Sequence, residues 1–278
     1  MSLRQTGRVK AETQVTRGKK AMIIDTDRML PSIYDETKPQ KKYVLSLALD
    51  GTKTRISRDI ICPSNMRLSF LSEFLVRAMG WLGYHQHMFT DKDGIEYIGS
   101  SLKETYDQDL HPGELEYRDF NEWTLGDILI KKGDSMKWTY DLGDHFSHTL
   151  TLLEVHRYMG RRGMPADPAF CITGGKNSCP PDDVGGPDGY EHMLEVLKNP
   201  EDEEYQEYQD WLYEGFNPAR FNIHDARIRC WDFERTVETI RMRMNDCIPP
   251  EMRPAPRMRR QKSWPKAYRA ERAQGTAE

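Results

Sequence analysis

Six side chains of this sequence could converge on a metal ion: His85, His87, His148, Cys171, Cys179 and Asp183. Zinc takes four nitrogen, sulfur or oxygen donors in a tetrahedron, and this set is chemically adequate. His85 and His87 lie two apart, and on a strand that spacing places both rings on one face. Cys171 and Cys179 are separated by seven residues, unlike the two-to-four gap of ordinary zinc ribbons. That spacing favours another reading, in which both cysteines are small buried hydrophobes and the histidines are hydrogen-bonded core groups. If an ion binds, the expectation is structural zinc, held by Cys171, Cys179 and one or two of the histidines.

A catalytic reading draws on overlapping residues. Asp141, Asp144 and Asp183 with His87 and His148 could serve metal-assisted hydrolysis, in which the ion lowers the pKa of a bound water. Against it, Asp141 and Asp144 flank a hairpin turn, where aspartate is ordinary turn chemistry. Cys179 precedes Pro180-Pro181 and so does not open a helix that would lower its thiol pKa. "GGKNS" lacks the spacing of a phosphate-binding loop, and "DLGD" stands without any other kinase element. The stretch "CITGGKNSCPPDDVGGPDGYEHML" also has a purely conformational account. Pro180-Pro181 fixes extended backbone, Gly185-Gly186 allows positive φ, and Asp182 or Asp183 can accept backbone N–H groups in the turns.

These residues need elements to position them. Tyr43, Leu45, Leu47 and Leu49 alternate as one face of a strand, and after the turn "DGTK" the segment "TRISRDIIC" returns as its hairpin partner. Leu71, Phe74, Leu75, Ala78 and Met79 make one helical stripe that closes at Gly80. "HQHMFTDKDGIEYIG" is a second hairpin turning at Asp93-Gly94. Thr124 and Asp127 resemble a capping box for a short helix. Met136, Trp138, Tyr140 and Leu142 then share a strand face, and Phe146, His148, Leu150 and Leu152 share the apolar side of the return strand, which turns His148 toward the core. The second half becomes helical. Tyr190, Met193, Leu194 and Leu197 form one stripe and Tyr205, Tyr208 and Leu212 another. Asn217-Pro218 looks like a helix start. A longer helix from Asn222 carries Ala226, Cys230, Phe233, Val237, Ile240 and Met244 and ends at Pro249-Pro250. The fold class is α+β, antiparallel hairpins interrupted by helices, with a helical C-terminal half.

Charge divides the chain. Residues 1–20 hold six Lys/Arg against one Glu, and residues 251–278 hold eight against three Glu, so each end is +5. With a formal total of -4, the 230 residues between sum to -14. An acidic body does not suit a folded nucleic-acid-binding face, so such contact would be non-specific and confined to the ends. No apolar run approaches a membrane span, and the N-terminus "MSLRQTGRVK" has no signal-peptide core, which points to the cytosol. Five scattered cysteines do not suggest a disulfide framework. The run "NPEDEEYQEYQDWLYE" has seven carboxylates with aromatics between them, which suits either a solvated amphipathic helix or contact with a basic protein partner.

"MGWLGYHQHMF", "YDLGDHFSH" and "CPPDDVGGPDGYEHML", followed by "FNPARFN", resemble the plasmid pRiA4b ORF-3-like family over about residues 42–228. Its members carry an MGW…HxHxF segment, a YDFGDxWxH hairpin and a CPPEDxGGxxGY loop in that order. His85 and His87 match the first, Asp141, Gly143, Asp144 and His148 the second. Cys171, Cys179, Pro180, Pro181, Asp183, Gly185, Gly186 and Tyr190 match the third. Ser72 stands where the family usually has a histidine, Leu142 and Phe146 replace Phe and Trp, and Asp182 replaces Glu. The resemblance implies an α+β domain of unsettled biochemical function, often labelled after a transposon-borne resolvase gene. Nothing here resembles a recombinase nucleophile set among arginines. The expected organisation is a basic flexible arm (1–41), one α+β domain (42–246) and a basic disordered tail (247–278). The expected role is a binding or accessory protein, with a structural zinc site only if an ion binds. A metal-dependent hydrolase is the first alternative, and a mobile-element-associated protein touching nucleic acid through its tails is the second.

Overall fold

The computed structural model describes residues 32–100, 102–103, 106, 116–157, 170–213 and 215–233. Eight strands form one sheet: β1 (Lys41–Leu49), β2 (Ser57–Pro63), β3 (His87–Thr90), β4 (Glu96–Ile98), β5 (Tyr117–Asp119), β6 (Ser135–Tyr140), β7 (Phe146–Arg157) and β8 (Cys171–Lys176). Their order is β5-β4-β3-β6-β7-β1-β2-β8. Every pairing is antiparallel except β4 with β5, so the sheet is mixed.

The alternation in "YVLSLAL" buries Tyr43, Leu45, Leu47 and Leu49 on one side of β1. Met136, Trp138 and Tyr140 on β6 and Phe146, His148, Leu150 and Leu152 on β7 join the same core, as their period of two demands. Helix α1 (Leu68–Met79) covers this face with Leu68, Leu71, Phe74, Leu75, Ala78 and Met79 buried. It ends at Gly80, whose φ of 119° is left-handed and whose N–H bonds Val76. Arg58, buried on β2, completes the helix end. Its guanidinium donates to the carbonyls of Ala78, Met79, Ser57, Lys176 and Asn177, tying α1 to the sheet and to the end of β8.

Short helix α2 (Leu125–Ile128) starts at a capping box, in which Asp127 Oδ2 accepts the Thr124 N–H and hydroxyl, both at 2.7 Å. After β8 the described chain is helical in three pieces: α3 (Gly186–Val196), α4 (Tyr205–Trp211) and α5, residues 223–233. Asn222 caps α5 by accepting the His224 N–H at 3.0 Å. Ala226 and Cys230 are buried and Phe233 packs against the core; Val237, Ile240 and Met244 lie outside the described residues.

Three local expectations change. "CITGGK", read as loop, is an edge strand paired with β2. Asn217-Pro218 makes a turn rather than a helix start, with Asn217 Oδ1 accepting the Ala219 N–H. The strand holding His87 begins at that residue, leaving His85 in a bend just before it.

Candidate metal centre and neighbouring cleft

Three segments far apart in sequence interlock at one corner of the sheet. Trp81, one residue past the helix-ending glycine, stacks on Tyr140 at 4.5 Å between centroids and 15° between planes. Its indole N–H donates to Pro180 O at 2.9 Å. The Tyr140 hydroxyl donates to Asp182 Oδ1 at 3.0 Å, and the Leu82 N–H to Asp182 Oδ2 at 3.3 Å. The Gly185 N–H donates to Asp144 Oδ2 at 2.9 Å. Gly186, at φ 71°, lies so close to Asp144 O that a Cβ there would sit 2.3 Å from it. Asp182 and Asp144 are therefore the latches between hairpin and loop.

Asp141 and Asp183 face the other way, onto His85. Asp141 Oδ2 is 3.3 Å from His85 Nδ1, and Asp183 Oδ1 is 3.3 Å from His85 Nε2. Both aspartates adopt left-handed backbone, φ 57° and 62°, a region few non-glycine residues enter. Asp141 Oδ1 accepts the N–H groups of Gly143 and Asp144 at 2.9 and 3.2 Å, which fixes the carboxylate and aims its second oxygen. His85 rests edge-on against Tyr140 at 5.7 Å. Its Nε2 is enclosed yet has no hydrogen bond, the Asp183 oxygen being near but misaligned. One ligand atom from each of His85, Asp141 and Asp183 lies within 4.8 Å of the others. Among the described residues this is the group able to share one cation. The His85 side chain is 26% and that of Asp183 72% exposed, so the group opens to solvent.

The remaining residues of the expected ligand set lie elsewhere. His87 turns toward α1, with Nδ1 2.6 Å from Ser72 Oγ and Nε2 3.2 Å from Glu73 Oε1. His148 is fully buried, 4.8 Å from the Trp138 ring, and donates from Nδ1 to Trp138 O at 3.2 Å. Burial lowers its pKa to about 3. Cys171 pairs with Ile61 across the sheet edge. Cys179 sits against the Gly80 turn. Burial pushes its thiol up to about 11, although the guanidiniums of Arg58 and Arg229 pull the other way. Among the described residues, no cysteine belongs to a group of three or more ligand atoms close enough to share one ion. Of the six residues, His85 and Asp183 come together, and Asp141, which sequence reasoning assigned to the turn, joins them. The signal for Asp141 is its place among the three motifs rather than any spacing.

Beside His85 lies a small open cleft of about 200 Å³. Among the described residues its walls include Tyr84, His85, His87, Gly99, Leu102 and Phe120. Both histidines of the HxH pair border it, although they share no partner.

Comparison with known proteins gives a consistent picture. Residues 41–225 match the family described as plasmid pRiA4b ORF-3-like protein. The uncharacterised protein y4hQ of Sinorhizobium fredii is 30% identical over 167 residues, covering 60% of this chain and 78% of that protein. The crystal structure of MM3350, a protein of unknown function from Methanosarcina mazei Go1, is similar with a TM-score of 0.54 and 29% identity. That match covers 68% of this chain and 98% of MM3350. The family match spans most of the sheet and all three residues of the cation group, and on it this chain belongs to the plasmid pRiA4b ORF-3-like family.

Proposed function

We propose that this protein binds a first-row divalent metal ion, zinc foremost, through one ring nitrogen of His85 and one carboxylate oxygen each of Asp141 and Asp183. One imidazole and two carboxylates suit such an ion. Three protein ligands leave coordination positions to water, the arrangement of catalytic rather than structural zinc. The function that follows is metal-assisted hydrolysis, in which the ion polarises an oxygen or activates a bound water. The observation behind this reading is the enclosed, unbonded Nε2 of His85 facing an aspartate on strained backbone. It differs from the cysteine-ligated structural zinc that the sequence suggested should an ion bind. The test is metal content and zinc titration of protein purified without a histidine tag. Wild type should bind about one ion per chain, His85→Ala and Asp183→Asn should lose it, and Cys179→Ser should keep it. Metal binding that survives His85→Ala, or none in wild type, would sink the reading.

A second reading, an accessory protein docking a basic partner, draws support from α4. Trp211 and Tyr213 are exposed there beside a run of carboxylates, the composition of a contact surface rather than a solvated helix alone. On either reading we place the protein in the cytosol, as one folded unit over 42–246 between two basic ends.

A further inference from the structure

One side chain, Tyr140, connects all three proposed ligands. Its strand β6 is paired with β3 at His87 and with β7 at Phe146, so the backbone at this residue is held on both sides. The ring is fully buried, and Trp81 stacked on it sets its plane. Asp141 is the next residue along the chain. The His85 ring stands edge-on to the phenol, at 85° between planes. The hydroxyl donates to Asp182 Oδ1 at 3.0 Å, and Asp182 immediately precedes Asp183.

The ligands differ in how much support they need. Asp141 is fixed by its own turn, through the N–H groups of Gly143 and Asp144. Asp183 is mostly exposed and sits on left-handed backbone. The two neighbouring carboxylates turn opposite ways, Asp182 toward Tyr140 and Asp183 toward His85. Holding Asp182 therefore orients Asp183. It also tethers the segment that carries His85, because Asp182 Oδ2 accepts the Leu82 N–H at 3.3 Å. Burial pushes the Tyr140 hydroxyl above its ordinary pKa, and the charge and hydrogen bond of Asp182 act in the same direction, although backbone hydrogen bonding from Gly83 and His85 pulls the other way. The phenol thus keeps its proton and stays a donor at neutral pH. We propose that Tyr140 is the positioning residue of the cation site, acting through Asp182 to set His85 and Asp183 at the separation one ion requires. Partners that orient metal ligands from behind tune affinity in this way. The effect of Tyr140 on affinity rests on the metal reading; its hold on His85 and Asp183 does not.

Tyr140→Phe removes the hydroxyl and keeps a ring against Trp81 and His85. In a calorimetric zinc titration it should bind about tenfold more weakly than wild type. Asp182→Ala should lose about as much, and the double variant no more than either, because both changes break the same link. Two unrelated structural losses would instead multiply to about a hundredfold. A metal-free readout comes from magnetic resonance of the same proteins. Tyr140→Phe should shift the Asp183 amide, and Asp182→Ala should shift the His85 ring signals, each across the link it breaks. The Gly143 amide, held by Asp141, should stay in place in Asp182→Ala. Wild-type zinc affinity in Tyr140→Phe, multiplied losses in the double variant, or an unmoved Asp183 amide would overturn the role of Tyr140. If wild type binds no zinc, the metal reading falls and the metal-free signals decide: shifts across the link keep Tyr140 as the holder of His85 and Asp183, and unmoved signals remove it.

Discussion

Asp141 and Asp183 hold left-handed backbone with full side chains, and His148 keeps an imidazole where no water reaches. At each residue, position has overridden ordinary preference. His148 has a measurable consequence. The unfolded chain takes up a proton at histidine below about pH 6.5, whereas burial holds the folded ring's pKa at about 3. Stability is therefore full above pH 6.5 and is lost as pH falls toward 3, by up to about 1.4 kcal/mol per unit. His148→Phe keeps a ring among Trp81 and Trp138 but binds no proton. Urea unfolding at pH 7 and pH 5 should show wild type losing about 2 kcal/mol more than the variant. Equal losses would mean the ring is reached by water. That His148 faces the core was legible from the alternation of Phe146, His148, Leu150 and Leu152. Asp141 was legible only as an ambiguous candidate, named both for the turn and for metal-assisted hydrolysis, because a turn aspartate and a metal-binding one have the same sequence. Only the fold reveals that its second oxygen meets His85.

Elements place these groups through backbone contacts that tolerate little extra volume. The hairpin β6–β7 and the loop entering α3 are locked by Gly185 on Asp144 and by Gly186 against the Asp144 carbonyl. Gly186→Ala must both abandon φ 71° and clear a contact of 2.3 Å. The cost should be about 3 kcal/mol from left-handed backbone and overpacking together, read as a lower urea midpoint. Because Asp183 lies three residues upstream on the same loop, zinc affinity should fall with it, whereas a surface change such as Lys92→Ala should alter neither. Zinc affinity equal to wild type in Gly186→Ala would detach the loop from the site. The elements were legible where apolar period is strong, as in β1, β2, α1 and the β6–β7 hairpin. β8 was not, because two of its six residues are glycine and its burial does not alternate. Its place comes from pairing with β2, a long-range contact without a local signature. Asn217-Pro218 failed as a helix start for a related reason: an asparagine that accepts the N–H two residues on makes a free-standing turn equally well.

At the scale of the whole chain, charge decides what the ends can do. Segments of +5 at residues 1–20 and 251–278 flank a body of -14. The body repels phosphate, so nucleic acid would have to be held by the ends alone, through neutralised charges and released counterions. Such binding has no sequence preference and falls steeply with salt. The full chain should therefore retain duplex DNA weakly at about 20 mM salt and release it near 150 mM, a Debye length of about 8 Å. A chain lacking residues 1–20 and 251–278 should not bind at either. Zinc binding should be the same in both chains, because none of the residues involved lies in the ends. Retention of DNA by the shortened chain would instead place a phosphate-binding surface on the acidic body. A salt-insensitive complex of the full chain would point to base recognition, which the charge division does not provide.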